Sequence, residues 1–321
     1  MKKITSILLS VLVILSMLVS CNTSNISTTT EGNITTTTEN KELNLPANPT
    51  DEDYLQVIYE VDSSYYGSEN NYNHKNLVSQ TVLKSVDKNA PETKKVMLNN
   101  VEYEMQYSYT YYHSLYAHTY YCYTYGKDNS RVMLTKDGEI RELIGEFDTI
   151  DIGYRATPEE VLPKLKEKLK EYVDISKYNN VKMPNDHSDN EYGFGSYDFK
   201  FYNSVDGYMT DLISVYVKDD GAVYALRIYD WDKKFTSLNI DKNLEDKMLE
   251  LKFKDIYTTD TTEYISYKID ERFTPQIIIR EGVTYVCYTG SARLLVKSTG
   301  TERNSYVTAI LIPLELISNK A

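Results

Sequence analysis

The stretch that decides the fold is "VEYEMQYSYTYYHSLYAHTYYCYTYGK", Val101 to Lys127, which holds ten tyrosines between Tyr103 and Tyr125. Tyr103, Met105, Tyr107, Tyr109 and Tyr111 alternate with Glu102, Glu104, Gln106, Ser108 and Thr110. A period of two puts each set on its own face, so a strand with one buried side is expected. Beyond Tyr112 the alternation fails. A strand of more than twenty residues would be unusual, so a turn is expected in "HSLYAH", His113 to His118, with a second strand in "TYYCYTYG". Tyrosine suits such a sheet, because its ring packs on the pleat while its hydroxyl reaches water. The 31 tyrosines outnumber the 7 phenylalanines and are spread along the chain, which makes sheet building the first reading of this stretch. The second is a ligand platform, with Tyr112, Tyr116 and Tyr120 as its candidates on the otherwise polar face.

Outward from this stretch the pattern is strands punctuated by tight turns. "KKVMLNNVEYEM" predicts a hairpin at Asn99-Asn100, residues that tolerate positive φ. "VMLTKDGEIREL" (Val132 to Leu143) aligns without gaps on "VYVKDDGAVYAL" (Val215 to Leu226). Each copy carries an Asp-Gly hairpin turn, Asp137-Gly138 and Asp220-Gly221, and "IIIREGVTYVCY" around Glu281-Gly282 is a looser third.

Helices are fewer. Thr50 caps a short amphipathic one through Tyr54, Leu55, Ile58 and Tyr59. "HKNLVSQTVLKSVDKN" predicts another, with Leu77, Val78, Val82 and Val86 on one side. In "TPEEVLPKLKEKLKEYVD", Thr157 and Glu160 form a capping box, and Leu162, Leu165, Leu169 and Tyr172 form a stripe. Pro163 removes one backbone bond from this helix and is expected to bend it. A last helix is expected from about Asp241 to Lys252 on Leu244, Met248 and Leu251, followed by strands from Glu263 onward.

The fold class that follows is α+β: antiparallel hairpins with single helices packed on one face, and two related units in tandem as one form of it. The expected segments are 1–20 as a leader, 21–43 as a tether, 44–156 as a Tyr-rich unit and 157–321 as a second, the last two forming either one domain or two. The helix and Asp-Gly hairpin from Thr157 to Tyr229 resemble the PepSY-type modules of envelope proteins. That resemblance implies a regulatory or inhibitory binding unit and transfers no site residue.

The N-terminus gives an address. Lys2 and Lys3 precede the apolar run Ile4 to Ser20, the pattern of a secretory leader, although the run also approaches the length of a membrane span. "LVSC", Leu18 to Cys21, resembles the lipobox of bacterial lipoproteins, which implies cleavage before Cys21 and lipid on its thiol. Acyl chains anchor through about 0.8 kcal/mol per buried methylene, so two or more hold firmly. The Thr/Ser/Asn-rich tract Asn22 to Leu43 has little to bury and reads as a tether. The expected location is a bacterial membrane, lipid-anchored and facing outward.

Formal charge is −12, and −14 once Lys2 and Lys3 leave with the leader. Such an acidic chain repels phosphate backbones, so nucleic acid is excluded as a partner. The expected partners are the membrane, through the lipid, and a cell-wall glycan or envelope protein. Cys122 and Cys287, in the matching contexts "YYCYTYG" and "YVCYTG", are either a disulfide or two buried thiols.

No catalytic constellation is legible. "SVDK" (Ser85 to Lys88), "SDN" (Ser188 to Asn190) and "KSTG" (Lys297 to Gly300) follow the order used by serine penicillin-binding enzymes. Ser85, however, ends an apolar run where that chemistry needs it to open a helix. His74, His113, His118 and His187 lack metal-ligand spacing, and "NDHSDNE" (Asn185 to Glu191) lacks the order of a calcium loop. Neither a cofactor nor a metal is expected, and binding is preferred to catalysis; the alternatives are a carbohydrate- or peptidoglycan-binding module using exposed tyrosines and an unrecognised wall hydrolase.

Overall fold

The computed structural model describes residues 43–319 apart from 44, 63–75, 80–81, 114, 127–129, 154–155, 185–195 and 231–232. The expected leader, lipid-bearing Cys21 and all but the end of the tether lie outside the described residues, as do His74, His187 and the Asn185–Glu191 loop. In chain order the first elements are α1 (Asp51–Leu55), β1 (Tyr59–Asp62), β2 (Leu77–Ser79), β3 (Val82–Ser85) and β4 (Thr93–Leu98). Next come β5 (Val101–His113), β6 (His118–Tyr125), β7 (Ser130–Leu134) and β8 (Ile140–Thr149). Helix α2 (Pro158–Leu169) leads into β9 (Asn180–Lys182), β10 (Ser196–Val205), β11 (Tyr208–Lys218) and β12 (Ala222–Tyr229). Helix α3 (Lys242–Tyr257) leads into β13 (Thr262–Ile269), β14 (Gln276–Arg280) and β15 (Val283–Val296). The last are β16 (Thr301–Asn304), β17 (Thr308–Pro313) and α4 (Leu314–Ile317).

Strand predominates, in agreement with an α+β class, but the expected tandem boundary at 156/157 is not where the chain divides. Among the described residues, one compact unit is drawn from within 1–79, 241–273 and 279–317, and the other from within 80–240, 274–278 and 318–321. We call them the outer and inserted units after their order in sequence. The reason is pairing: β8, from the first expected unit, hydrogen-bonds β12 of the second.

The inserted unit is an antiparallel sheet in the order β5–β6–β7–β8–β12–β11–β10–β9, with β3 and β4 sharing the free side of β5. Helix α2 covers one face. Thr157 Oγ1 accepts the Glu160 N–H while the Glu160 side chain accepts the Thr157 N–H, and Pro158 sits where its missing donor costs nothing. Val161, Leu165 and Leu169 lie four residues apart and are buried against Phe199, Phe201, Val215 and Leu226. Each such side chain contributes about 2 kcal/mol on burial. Beyond the helix, Tyr172 donates to Asp148 Oδ2 at 2.7 Å and accepts the Asn99 N–H at 2.9 Å, which fixes the tip of the β4–β5 hairpin.

The two Asp-Gly hairpins lie side by side, and Leu143 pairs directly with its repeat equivalent Leu226. Gly221 takes φ +88° at its turn, and a Cβ there would stand 2.1 Å from the Ile150 carbonyl oxygen. Only glycine allows that approach.

The outer unit is a smaller sheet. Antiparallel β13, β15, β17 and β1 follow one another, β2 adds in parallel to β1, and β16 pairs with the end of β15. Asp241 caps α3 by accepting the Asn243 and Leu244 N–H groups. Helix α3 runs five residues beyond the expected Lys252, because Phe253, Ile256 and Tyr257 extend its buried side. That side is Glu245, Met248, Leu249, Lys252, Phe253, Ile256 and Tyr257; the expected Leu244 is exposed.

Two further expectations are corrected. The helix predicted over 74–89 is replaced by β2 and β3, since Leu77–Ser79 pairs with β1 and Val82–Ser85 with β5. Pairing of β-branched residues outweighs a weak helical spacing. Helix α1 stops at Leu55, and Tyr59 opens a strand on β17.

Candidate functional site

The face of the inserted sheet opposite α2 carries a polar and aromatic constellation. It arises from a β-bulge. Tyr107 pairs with Tyr123 but Tyr109 with Cys122, so Ser108 is an extra residue and the side chains beyond it change face. Tyr107 therefore packs on the helix-covered core, whereas Tyr109 and Tyr111 lie with Cys122 and Met133 on the other side. The unbroken alternation expected from Tyr103 to Tyr111 is thus interrupted at Ser108.

Register then aligns one row across the sheet. Tyr109 pairs with Cys122, Cys122 with Met133, Met133 with Glu142, and Glu142 with Arg227. The row continues through Ser214 to Lys200 and Lys182. At its centre Arg227 Nε donates to Glu142 Oε1 at 2.6 Å, with side-chain exposures of only 12% and 17%. Burial works against the Arg227 charge, but Glu142, together with Tyr229 and Asp198, outweighs it and holds the guanidinium above its ordinary pKa. Ser214 Oγ donates to Asp198 at 3.0 Å, and Lys200 Nζ lies 3.3 Å from the same carboxylate.

Aromatic rings lie beside the row, with Tyr111, Tyr120 and Tyr229 each two residues along its strand from a member of it. Tyr116 stands 4.5 Å from His113 and 5.0 Å from Tyr229, centroid to centroid. Tyr111 lies 5.9 Å from His113 and 6.4 Å from Tyr120. Burial pushes the Tyr229 hydroxyl up to about 12, and Tyr111 and Tyr120 also upward. His113 pairs in register with His118 at the end of the β5–β6 hairpin. Its Nδ1 is sealed from solvent and makes no hydrogen bond. Burial, reinforced by His118 and Arg227, brings its pKa down to about 4. These rings stay neutral near pH 7, while Arg227 and Glu142 form a fixed dipole across β8 and β12.

The proposed platform residues are not one exposed surface. Tyr116 is buried, at 3% exposure. Tyr112 pairs with Thr119 and Tyr111 with Tyr120, so Tyr112 and Tyr120 lie on opposite faces of the hairpin. Tyr120 belongs to the cluster and Tyr112 does not. Cys122 and Cys287 are free, buried thiols in different units, where a disulfide had been one expectation. Burial pushes both upward, Cys287 to about 12, so they are protonated and unreactive.

Ser85 ends β3, and Lys297 opens the β15–β16 turn with its ammonium on the Thr259 carbonyl. Neither has the helix or strand position that penicillin-type chemistry needs. Among the described residues no three His, Cys, Asp or Glu side chains gather as a metal site.

No local sequence pattern marks Glu142 and Arg227. A signal was present: pairing the two repeat hairpins through Leu143 and Leu226 brings Glu142 opposite Arg227. No helix among the described residues is long and apolar enough to cross a membrane. No protein-family model, curated protein or solved structure matches the chain.

Proposed function

We propose that this chain is a bacterial envelope protein, held at an outward-facing membrane surface by lipid on Cys21, that acts there by binding a protein or wall partner without catalysis. The address rests on the Leu18–Cys21 sequence and the polar tract after it. The observation that carries the binding reading is the mutual pairing of the charged groups at the centre of that face. Arg227 is answered by Glu142, Asp198 by Ser214 and Lys200, and the tyrosine rings by one another. Groups so matched stabilise a scaffold; a reacting group needs an open partner position.

The full-length chain expressed in a Gram-positive host should incorporate labelled palmitate and fractionate with membranes, and Cys21→Ala should do neither. Unchanged fractionation of the variant would overturn the anchor. Wall sacculi and membrane extract offered in parallel to the solubilised chain test the partner. Saturable pelleting with sacculi points to a glycan; capture from the extract alone points to an envelope protein. Failure of both at micromolar concentration would overturn binding.

A further inference from the structure

The longest open edge of the outer unit is β13. It hydrogen-bonds β15 along one side, and among the described residues no strand pairs with its other side. An edge of eight residues is a template for another strand, and proteins guard such edges with charges and bulges. Here both devices are present, and together they leave one pairing favoured.

Read against its own reverse about a point between Ile265 and Ser266, "EYISYK" places Glu263 opposite Lys268 and Tyr264 opposite Tyr267. In a regular strand this pairing would fail, because residues three apart face opposite sides. The bulge removes the difficulty: Tyr264 pairs with Leu294 but Ser266 with Arg293, so Ile265 is an extra residue. As a result Tyr264 and Tyr267 both reach the same helix, Tyr264 donating to Glu250 at 2.6 Å and Tyr267 to Asp246 at 3.2 Å. Glu263 and Lys268 are exposed, and among the described residues neither is in an ion pair.

We propose that β13 is a self-association edge, and that its occupant is β13 of a second copy of this chain, running antiparallel. Two Glu263–Lys268 pairs and two Tyr264–Tyr267 pairs then flank the dyad, each pair on one face of the joined sheet. The charges discourage any strand not matching this order. The same pairing repels itself if either charge is reversed, and opposite reversals on two chains complement each other.

That symmetry supplies the test. Full-length chains bearing two different tags are co-expressed, solubilised in mild detergent and scored by capture through one tag. Wild type should capture wild type. Glu263→Lys and Lys268→Glu should each weaken self-capture about tenfold, since two opposite-charge pairs become like-charge pairs. Co-expressed with each other, the two variants should recover capture. Thermal melting confirms that these exposed substitutions leave the fold intact. Absence of wild-type capture, or equal capture by every combination as shared lipid or micelles would give, overturns the proposal. This outcome is independent of Cys21, so it does not stand or fall with the anchor.

Discussion

The two faces of the inserted sheet are built on different physics. The face under α2 takes Val96, Phe199, Val215 and Leu226 from its strands and Val161, Leu165 and Leu169 from the helix, all apolar and buried. Its attraction has no direction and grows with area. The opposite face takes Glu142, Arg227, Asp198, Tyr111 and Tyr229, and each depends on a particular neighbour at a particular distance. Loss of one apolar group on the first face leaves a cavity. Removal of one charged partner on the second leaves the other buried and unanswered.

The sharpest break between the faces comes from the ion pair. Arg227→Met strands the Glu142 carboxylate and should destabilise the chain by about 3–5 kcal/mol in urea unfolding. Glu142→Leu added to it should restore most of that loss, because two matched apolar groups replace a matched ionic pair. Leu165→Ala under the helix should cost about 2–5 kcal/mol with no such second-site recovery. A double variant as weak as Arg227→Met alone would show that the pair is not what holds this face.

Acid should divide the faces next. His113 is neutral in the fold, with its pKa near 4, against an ordinary 6.5 in the unfolded chain. Since the unfolded state takes up the proton first, stability is full above pH 6.5 and falls as pH drops toward 4, by about 3 kcal/mol at most. His113→Phe should flatten that part of the curve of unfolding midpoint against pH. An unchanged slope would mean that other groups set the acid response.

The smallest effect expected is local to the helix side. Thr157→Ala removes the cap of α2 and should lower stability by about 1 kcal/mol, while Thr157→Ser keeps it. Equal losses in the two variants would move the role of Thr157 from its hydroxyl to its methyl.

Much of the helix-covered face was legible before any coordinates. Alternation at Val132–Leu134 and Val215–Val217, the turns at Asn99-Asn100 and both Asp-Gly sites, and the Thr157 capping box are local signals, and each recurs in the fold. The candidate site was hardly legible. Of its rings the sequence pattern marks only Tyr116 and Tyr120 as ligand contacts and groups Tyr112 with them, and no local pattern marks Glu142 or Arg227. The bulge at Ser108 has no sequence mark of its own, and a shift of one residue sends every later side chain to the other face.

By itself the sequence determined the hairpin turns, the helix starts and the alternation that buries one side of each strand, because these depend on residues a few positions apart. The tertiary structure decided that β8 pairs with β12, that Ser108 is extruded, and that Leu77–Ser79 and Val82–Ser85 are strands. Those outcomes depend on which distant backbone is available to accept hydrogen bonds. That availability is a property of the whole folded chain.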